Sequence, residues 1–261
     1  MQLTKVILLA SLIGTGCMRG DKSDNTDSAE SAVDSEDSVS AEGDVLAANM
    51  DGAQTSSLTG ADIAVAVAAN INAKWPNACA QVTANGANLV VTYNDCSGPR
   101  GLVHVTGTLN LALDVSPQGA IDVHATASGF EVNNAVLDID ATAVYAISGT
   151  QRSLTVQSKG TGIGPLGNDI DHSGNYTLTW DPSTTCGSIN GHWQTDFSNA
   201  TASAERSNDV NLSKCVSACP TGSLTHHYLG GASLTVTFDG SATAAWSTSL
   251  GGSGTVALAC R

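Results

Sequence analysis

The sequence predicts an all-β domain, a large antiparallel meander curled into a sandwich or an open barrel and preceded by one short helix. Three observations carry this. Beyond residue 88, apolar and polar residues alternate with a period of two, the mark of strands that bury one face. Turn signals recur between these runs, at Ser116-Pro117-Gln118-Gly119, Asn133-Asn134, Gly149-Thr150, Asp239-Gly240 and Gly251-Gly252. A helical pattern is confined to one stretch ahead of the first strand.

That stretch is Leu58 to Lys74, in which Thr59 can cap, Asp62 follows three residues later as a partner in a capping box, and Pro76 ends the run. After it, Leu89 to Tyr93 forms a strand flanked by Cys79 and Cys96. Val103, Val105, Leu109, Leu111, Leu113 and Val115 alternate with His104, Thr106, Thr108, Asn110, Ala112 and Asp114. Ile121 and Val123 alternate with Asp122 and His124, and Leu137, Ile139, Ala141, Ala143, Tyr145 and Ile147 form the next row. Later strands are Tyr176 to Trp180, Ile189 to Phe197, Leu234 to Phe238, Thr243 to Thr248 and Thr255 to Ala259. With ten or more strands and little helix to cover a second face, the sheet must curl, close or fold over to bury its apolar side.

Charge divides the 261 residues into parts. Ten of the 24 acids precede residue 57, in a segment from Asp21 to Ser57 with few large apolar residues (Val33, Val39, Val45, Leu46, Met50). Such a segment cannot bury enough surface to offset its ordering entropy, so residues 17–57 are expected to be a disordered acidic tether and residues 58–261 the domain. From Leu58 onward, 14 acids face seven bases, no two of them close in sequence. This argues against nucleic acid as a partner, which needs clustered Lys and Arg.

Residues 1–16 run from a basic start (Lys5) through an apolar stretch, Val6 to Ile13, to small residues Gly14, Thr15 and Gly16 before Cys17. A run of eight is too short to span a bilayer and fits a secretory signal. The layout resembles a bacterial lipoprotein signal peptide, with Gly14 where that family usually has Leu. The resemblance implies lipidation of Cys17 as the mature N-terminus and attachment to the membrane through the lipid. Met18, where an inner-membrane retention signal would place Asp, implies the outer membrane.

Without Cys17, six cysteines remain, an even number that suits disulfides in an oxidising compartment. Cys79–Cys96 is the expected first bridge. For the other four, Cys186–Cys215 with Cys219–Cys260 is preferred among three possible pairings. Cys215 and Cys219 lack the second pair that a zinc site would need.

Several motifs invite chemistry. Gly162-x-Gly164-x-x-Gly167 matches a dinucleotide fingerprint in letters, but Pro165 and the polar run after it do not begin a helix, so it reads as a loop. Asp169, Asp171 and Ser173, followed by Gly174, resemble half of a calcium loop, but Trp180 stands at the twelfth position where the bidentate Glu belongs. His226 and His227 would point to opposite faces of a strand and read as surface or edge residues. His104, His124, Asp114 and Asp122 lie on outward positions, where a particular register could gather a small metal or acid/base site. Trp75, Trp180, Trp193 and Trp246 read as core anchors rather than a sugar-stacking platform. No Gly-x-Ser-x-Gly elbow, His-Glu-x-x-His helix or Walker loop is present, which argues against the familiar hydrolases.

The sequence therefore favours a non-enzymatic structural or binding module of the cell envelope, without a cofactor and with an unidentified envelope partner. Its rivals are a lipid- or small-ligand-binding β protein with an apolar cavity, and a calcium-dependent adhesin or secreted hydrolase.

Overall fold

The computed structural model describes residues 38–39, 41–53, 59–75, 79–98, 102, 104–164, 167, 169–184, 186–197, 206–215, 219, 221–227 and 231–257. The described residues form a helix α1 (helical at 38–39 and 41–50), a second helix α2 (Gly60–Lys74) and thirteen strands. These are β1 (Ala80–Asn85), β2 (Asn88–Cys96), β3 (Val105–Val115), β4 (Ile121–Val132), β5 (Ala135–Ser148), β6 (Gln151–Ile163) and β7 (Asp169–Asp181). The remainder are β8 (Cys186–Phe197), β9 (Arg206–Cys215), β10 (Thr221–His227), β11 (Ser233–Asp239), β12 (Thr243–Thr248) and β13 (Ser253–Ala257). All thirteen make one open antiparallel sheet in which every strand pairs with its sequence neighbours, β1 through β13 in order. The expected all-β meander is therefore a single uninterrupted sheet, not a sandwich.

Short connections produce this order. Asn133 and Asn134, both with positive φ (48° and 77°), join β4 to β5 as a two-residue loop between Val132 and Ala135, the geometry that matches the twist of paired strands. Helix α2 carries the expected capping box: the Thr59 side chain accepts from the Asp62 N–H while the Asp62 carboxylate accepts from the Thr59 N–H. Its face of Ile63, Ala64, Val67 and Ile71 is buried, and the helix packs against β1–β3. Pro76 lies outside the described residues.

Two devices bend the sheet. Register shifts interrupt β2–β3 between Tyr93 and Cys96, β3–β4 between Thr106 and Leu109, and β4–β5 between Ala127 and Phe130. Bulges like these add twist. Gly107 (φ 124°) and Gly129 (φ 58°) occupy two of them, in a backbone region that a β-branched side chain would not adopt. The second device is aromatic residues set opposite glycines on the neighbouring strand: Tyr93 opposite Gly107, Tyr176 opposite Gly191, Trp193 opposite Gly174 and Trp246 opposite Gly254. A Cβ on Gly174 would lie 2.3 Å from the Trp193 Cβ, so the pairing depends on the missing side chain.

The curled sheet packs around α1, and here the structure corrects the sequence reading. The acidic segment 17–57 is not simply a tether, because Val39, Val45, Leu46, Ala47, Ala48 and Met50 are all buried in the core. The physical reason is encasement: a helix covered on all sides needs small residues such as Ala41, Gly43, Ala47 and Ala48 more than large ones. Gly43 lies against Tyr176 and Leu178 of β7, while Asn49 reaches Tyr93 of β2. In a flat sheet β2 and β7 would be about 24 Å apart. Residues 43 and 49 are separated by only about 9 Å of helix, so the sheet must wrap around it. The signal-like residues 1–16, Cys17 and the segment up to 37 lie outside the described residues.

Candidate functional site

The sheet has an inner and an outer face, and chemistry-bearing side chains occur on both. On the inner face, Glu42 of α1 is fully buried and both of its carboxylate oxygens are engaged. Ser158 of β6 donates to Oε2 at 2.8 Å and the Tyr176 hydroxyl of β7 donates to Oε1 at 2.8 Å. His172 of β7 brings Nε2 to 3.1 Å from Ser158 Oγ and 3.3 Å from Glu42 Oε2. Burial, reinforced by the adjacent Glu42 charge, holds the Tyr176 hydroxyl well above the ordinary tyrosine pKa.

A serine, a histidine and a glutamate in contact suggest a nucleophilic triad, but the wiring differs. In a triad, serine and carboxylate engage opposite ring nitrogens, so that one orients the base while the other gives it a proton. Here both approach Nε2, and among the described residues Nδ1 is buried without a hydrogen-bond partner. Ser158 and His172 are 6% and 3% exposed, so substrate has no access to them. The arrangement is a polar anchor that fixes α1 inside the sheet. A second anchor lies at the end of the helix, where Asp51 accepts from Trp180 Nε1 (2.8 Å) and pairs with Lys74 of α2.

Sequence reasoning missed this cluster because Glu42 was counted among the tether acids. The available signal was the spacing of Val39, Glu42, Leu46, Asn49 and Met50, which repeats at three and four residues.

On the outer face, the predicted group of His104, His124, Asp114 and Asp122 is only partly assembled. Asp114 and Asp122 are direct cross-strand neighbours, and His124 lies one row away, opposite Ala112. The His124 ring pairs instead with Asp140 of β5, Nε2 to Oδ1 at 2.9 Å. His104 is separate: its Nδ1 meets Asp95 Oδ1 at 2.6 Å and its Nε2 meets Glu131 Oε2 at 3.4 Å, beside the bulges. Desolvation opposes protonation of His104, but hydrogen bonds to Asp95 and Glu131 and their charges outweigh it and raise its pKa above the ordinary histidine value.

Among the described residues, no group of three or more His, Cys, Asp or Glu is placed to hold a metal ion. Asp169, Asp171 and Ser173, taken from sequence as half of a calcium loop, lie on a straight strand of β7. Alternate positions there span about 13 Å from first to last, too far to wrap one cation. Gly162 lies within β6, next to its last residue, and the Gly167 N–H donates to the Gly164 carbonyl between β6 and β7, as a loop rather than a fingerprint.

His226 and His227 do face opposite ways, but His226 is buried in the inner face and is not a surface residue. Trp75, Trp180 and Trp193 are buried as expected of core anchors. Cys79–Cys96 and Cys186–Cys215 are disulfides, and Cys219 is disulfide-bonded too. Cys260, its expected partner, lies outside the described residues. The bridges mark an exported protein.

Two shallow grooves also open on the outer face. One, of about 530 Å³, is bordered by Asp114, Asp122, His124 and Gln157. The other, of about 430 Å³, is bordered by Asn190, His192, Asn211 and Ser223. Comparison with family models, curated proteins and solved structures finds no match to this chain.

Proposed function

We propose that this exported protein is a non-enzymatic binding or structural module of the cell envelope, held to the outer membrane through a lipid on Cys17, with the outer face of its sheet as the working surface. The observation that carries this reading is the burial of α1. It fills the concave side, where an apolar ligand would otherwise lie, and it seals the Ser158–His172–Glu42 cluster away from any substrate. What remains for partners is a broad outer face of hydroxyls, amides and scattered carboxylates. The two disulfides support export. The run from Lys5 to Cys17 supports the anchor by its resemblance to lipoprotein signals.

The test is the intact mass of the protein extracted from fractionated membranes, before and after reduction and alkylation. The expected species begins at Cys17, carries acyl chains, and exposes six alkylatable cysteines only after reduction. A soluble protein without acyl chains overturns the anchor and the address together.

A further inference from the structure

The two outer grooves belong to one surface. Following the strand pairing, Asp114, Asp122, Val144, Thr155, Thr177 and Asn190 lie in one continuous row, which runs on through Asn211 to Ser223. The adjacent row runs through His124, Thr142, Gln157, Asn175, His192 and Asp209 and reaches Thr225. The first groove lies at one end of these rows and the second at the other. Together they form a track perpendicular to the strands, from β3 to β10.

Its chemistry is selective. Neither row contains a lysine or arginine, so a polyanion finds no counter-charge. Val144 is the one large apolar side chain exposed in these rows among the described residues, too little to bury a lipid or an apolar protein face. What the track offers is mainly amides and hydroxyls, which both donate and accept, with the carboxylates of Asp114 and Asp122 at its β3–β4 end and the imidazoles of His124 and His192 between. Some of the hydroxyls are already oriented: Thr155 pairs with Thr177 and Thr225 with Thr235, each at 3.1 Å between Oγ1 atoms. Side chains fixed before binding lose less entropy on binding.

From this juxtaposition we infer that the track binds a neutral polysaccharide that follows the convex outer face across β4 to β10. The inference deepens the reading of the outer face as the working surface and rests on it. Because neither row contains Trp, Tyr or Phe, no such ring stacks on the sugar. Each contact is a hydrogen bond, and affinity grows with the number of strands the polymer crosses.

The test is affinity electrophoresis of the mature protein in gels containing dextran, galactomannan, xyloglucan, laminarin or amylose, with alginate as the charged comparison. At least one neutral polymer is expected to retard it, with alginate retarding it less. Asn190→Ala with Asn211→Ala, both exposed positions, should weaken that retardation about tenfold or more, the loss of two or more hydrogen bonds. Thr83→Ala, exposed on β1 and off the track, should leave it unchanged. Unaltered thermal midpoints would show that the variants fold.

No retardation by any of the five neutral polymers, or equal retardation of the track variants, overturns the inference. A membrane-anchored protein that ignores every polymer refutes the track alone. An unanchored protein that is still retarded refutes the envelope address alone.

Discussion

Glu42 and Tyr176, 134 residues apart in the chain, meet at 2.8 Å inside the sheet, and that contact joins α1 to the middle strand of the meander. Breaking it leaves the hydroxyls of Tyr176 and Ser158 and the ring of His172 buried without the carboxylate they share. Glu42→Ala is therefore expected to destabilise the protein by about 3 kcal/mol. Glu42→Gln keeps one acceptor oxygen and most of the shape, and should cost about 1 kcal/mol. Guanidinium denaturation measures both. An alanine variant as stable as the parent would mean that α1 does not occupy the interior in solution.

The Cys79–Cys96 bridge ties the approach to β1 to the bulged end of β2, closing a loop with a sequence separation of 17. In the chain-entropy model such a loop is worth about 3 kcal/mol. Replacing both cysteines by alanine should lower stability by that amount and raise the denaturant slope, because the unfolded chain, freed of the crosslink, exposes more surface. If the loss falls below about 1 kcal/mol, the stacked bulges hold this corner without help.

How far the sequence revealed these features depended on what set them. Strands were legible where one face is buried: the rows from Val105 to Val115 and from Leu137 to Ile147 became β3 and β5. The capping box of α2 was legible because it is a local hydrogen-bond pattern. Helix α1 was not, because its encasement favours alanine and glycine and its one buried carboxylate looks in sequence like any tether acid. The outward His/Asp group was half legible. Its outward positions follow from alternation, but which residues meet depends on register, and the bulges at Gly107 and Gly129 shift register in a way that alternation does not encode. They leave His104 with Asp95 and Glu131, and His124 with Asp140.

Asp138 holds one of those bulges. Its Oδ1 accepts from Ser128 Oγ and from the Gly129 N–H, each at 2.7 Å, and these bonds, that from Ser128 first, keep its pKa below the usual 3.8. A carboxylate with a depressed folded-state pKa contributes stability above its unfolded value and loses it as pH falls through the folded value. Asp138→Asn should therefore be less stable than the parent near neutral pH, with the gap closing well below pH 3.8. Urea midpoints at the two pH values test this. A gap that stays constant with pH would assign the effect to shape rather than charge.

His104 gives the opposite sign. Its folded-state pKa lies above the ordinary 6.5 because Asp95 and Glu131 outweigh its desolvation. The pairing therefore contributes its full stability below pH 6.5 and loses it as pH rises through the elevated value. The side chain is 38% exposed, so solvent screening keeps the contribution small and the ring's own titration is the better readout. By NMR, the His104 ring should titrate above 6.5. Asp95→Asn should move it down, since it removes the charge nearest Nδ1 while an amide oxygen can still accept there. Asp95 also adopts a positive φ of 50°, which asparagine tolerates, so this variant changes the electrostatics while leaving the bulge intact. A His104 that titrates at or below 6.5 in the parent would mean that the bulged ends of β2 and β4 do not bring these carboxylates to the ring.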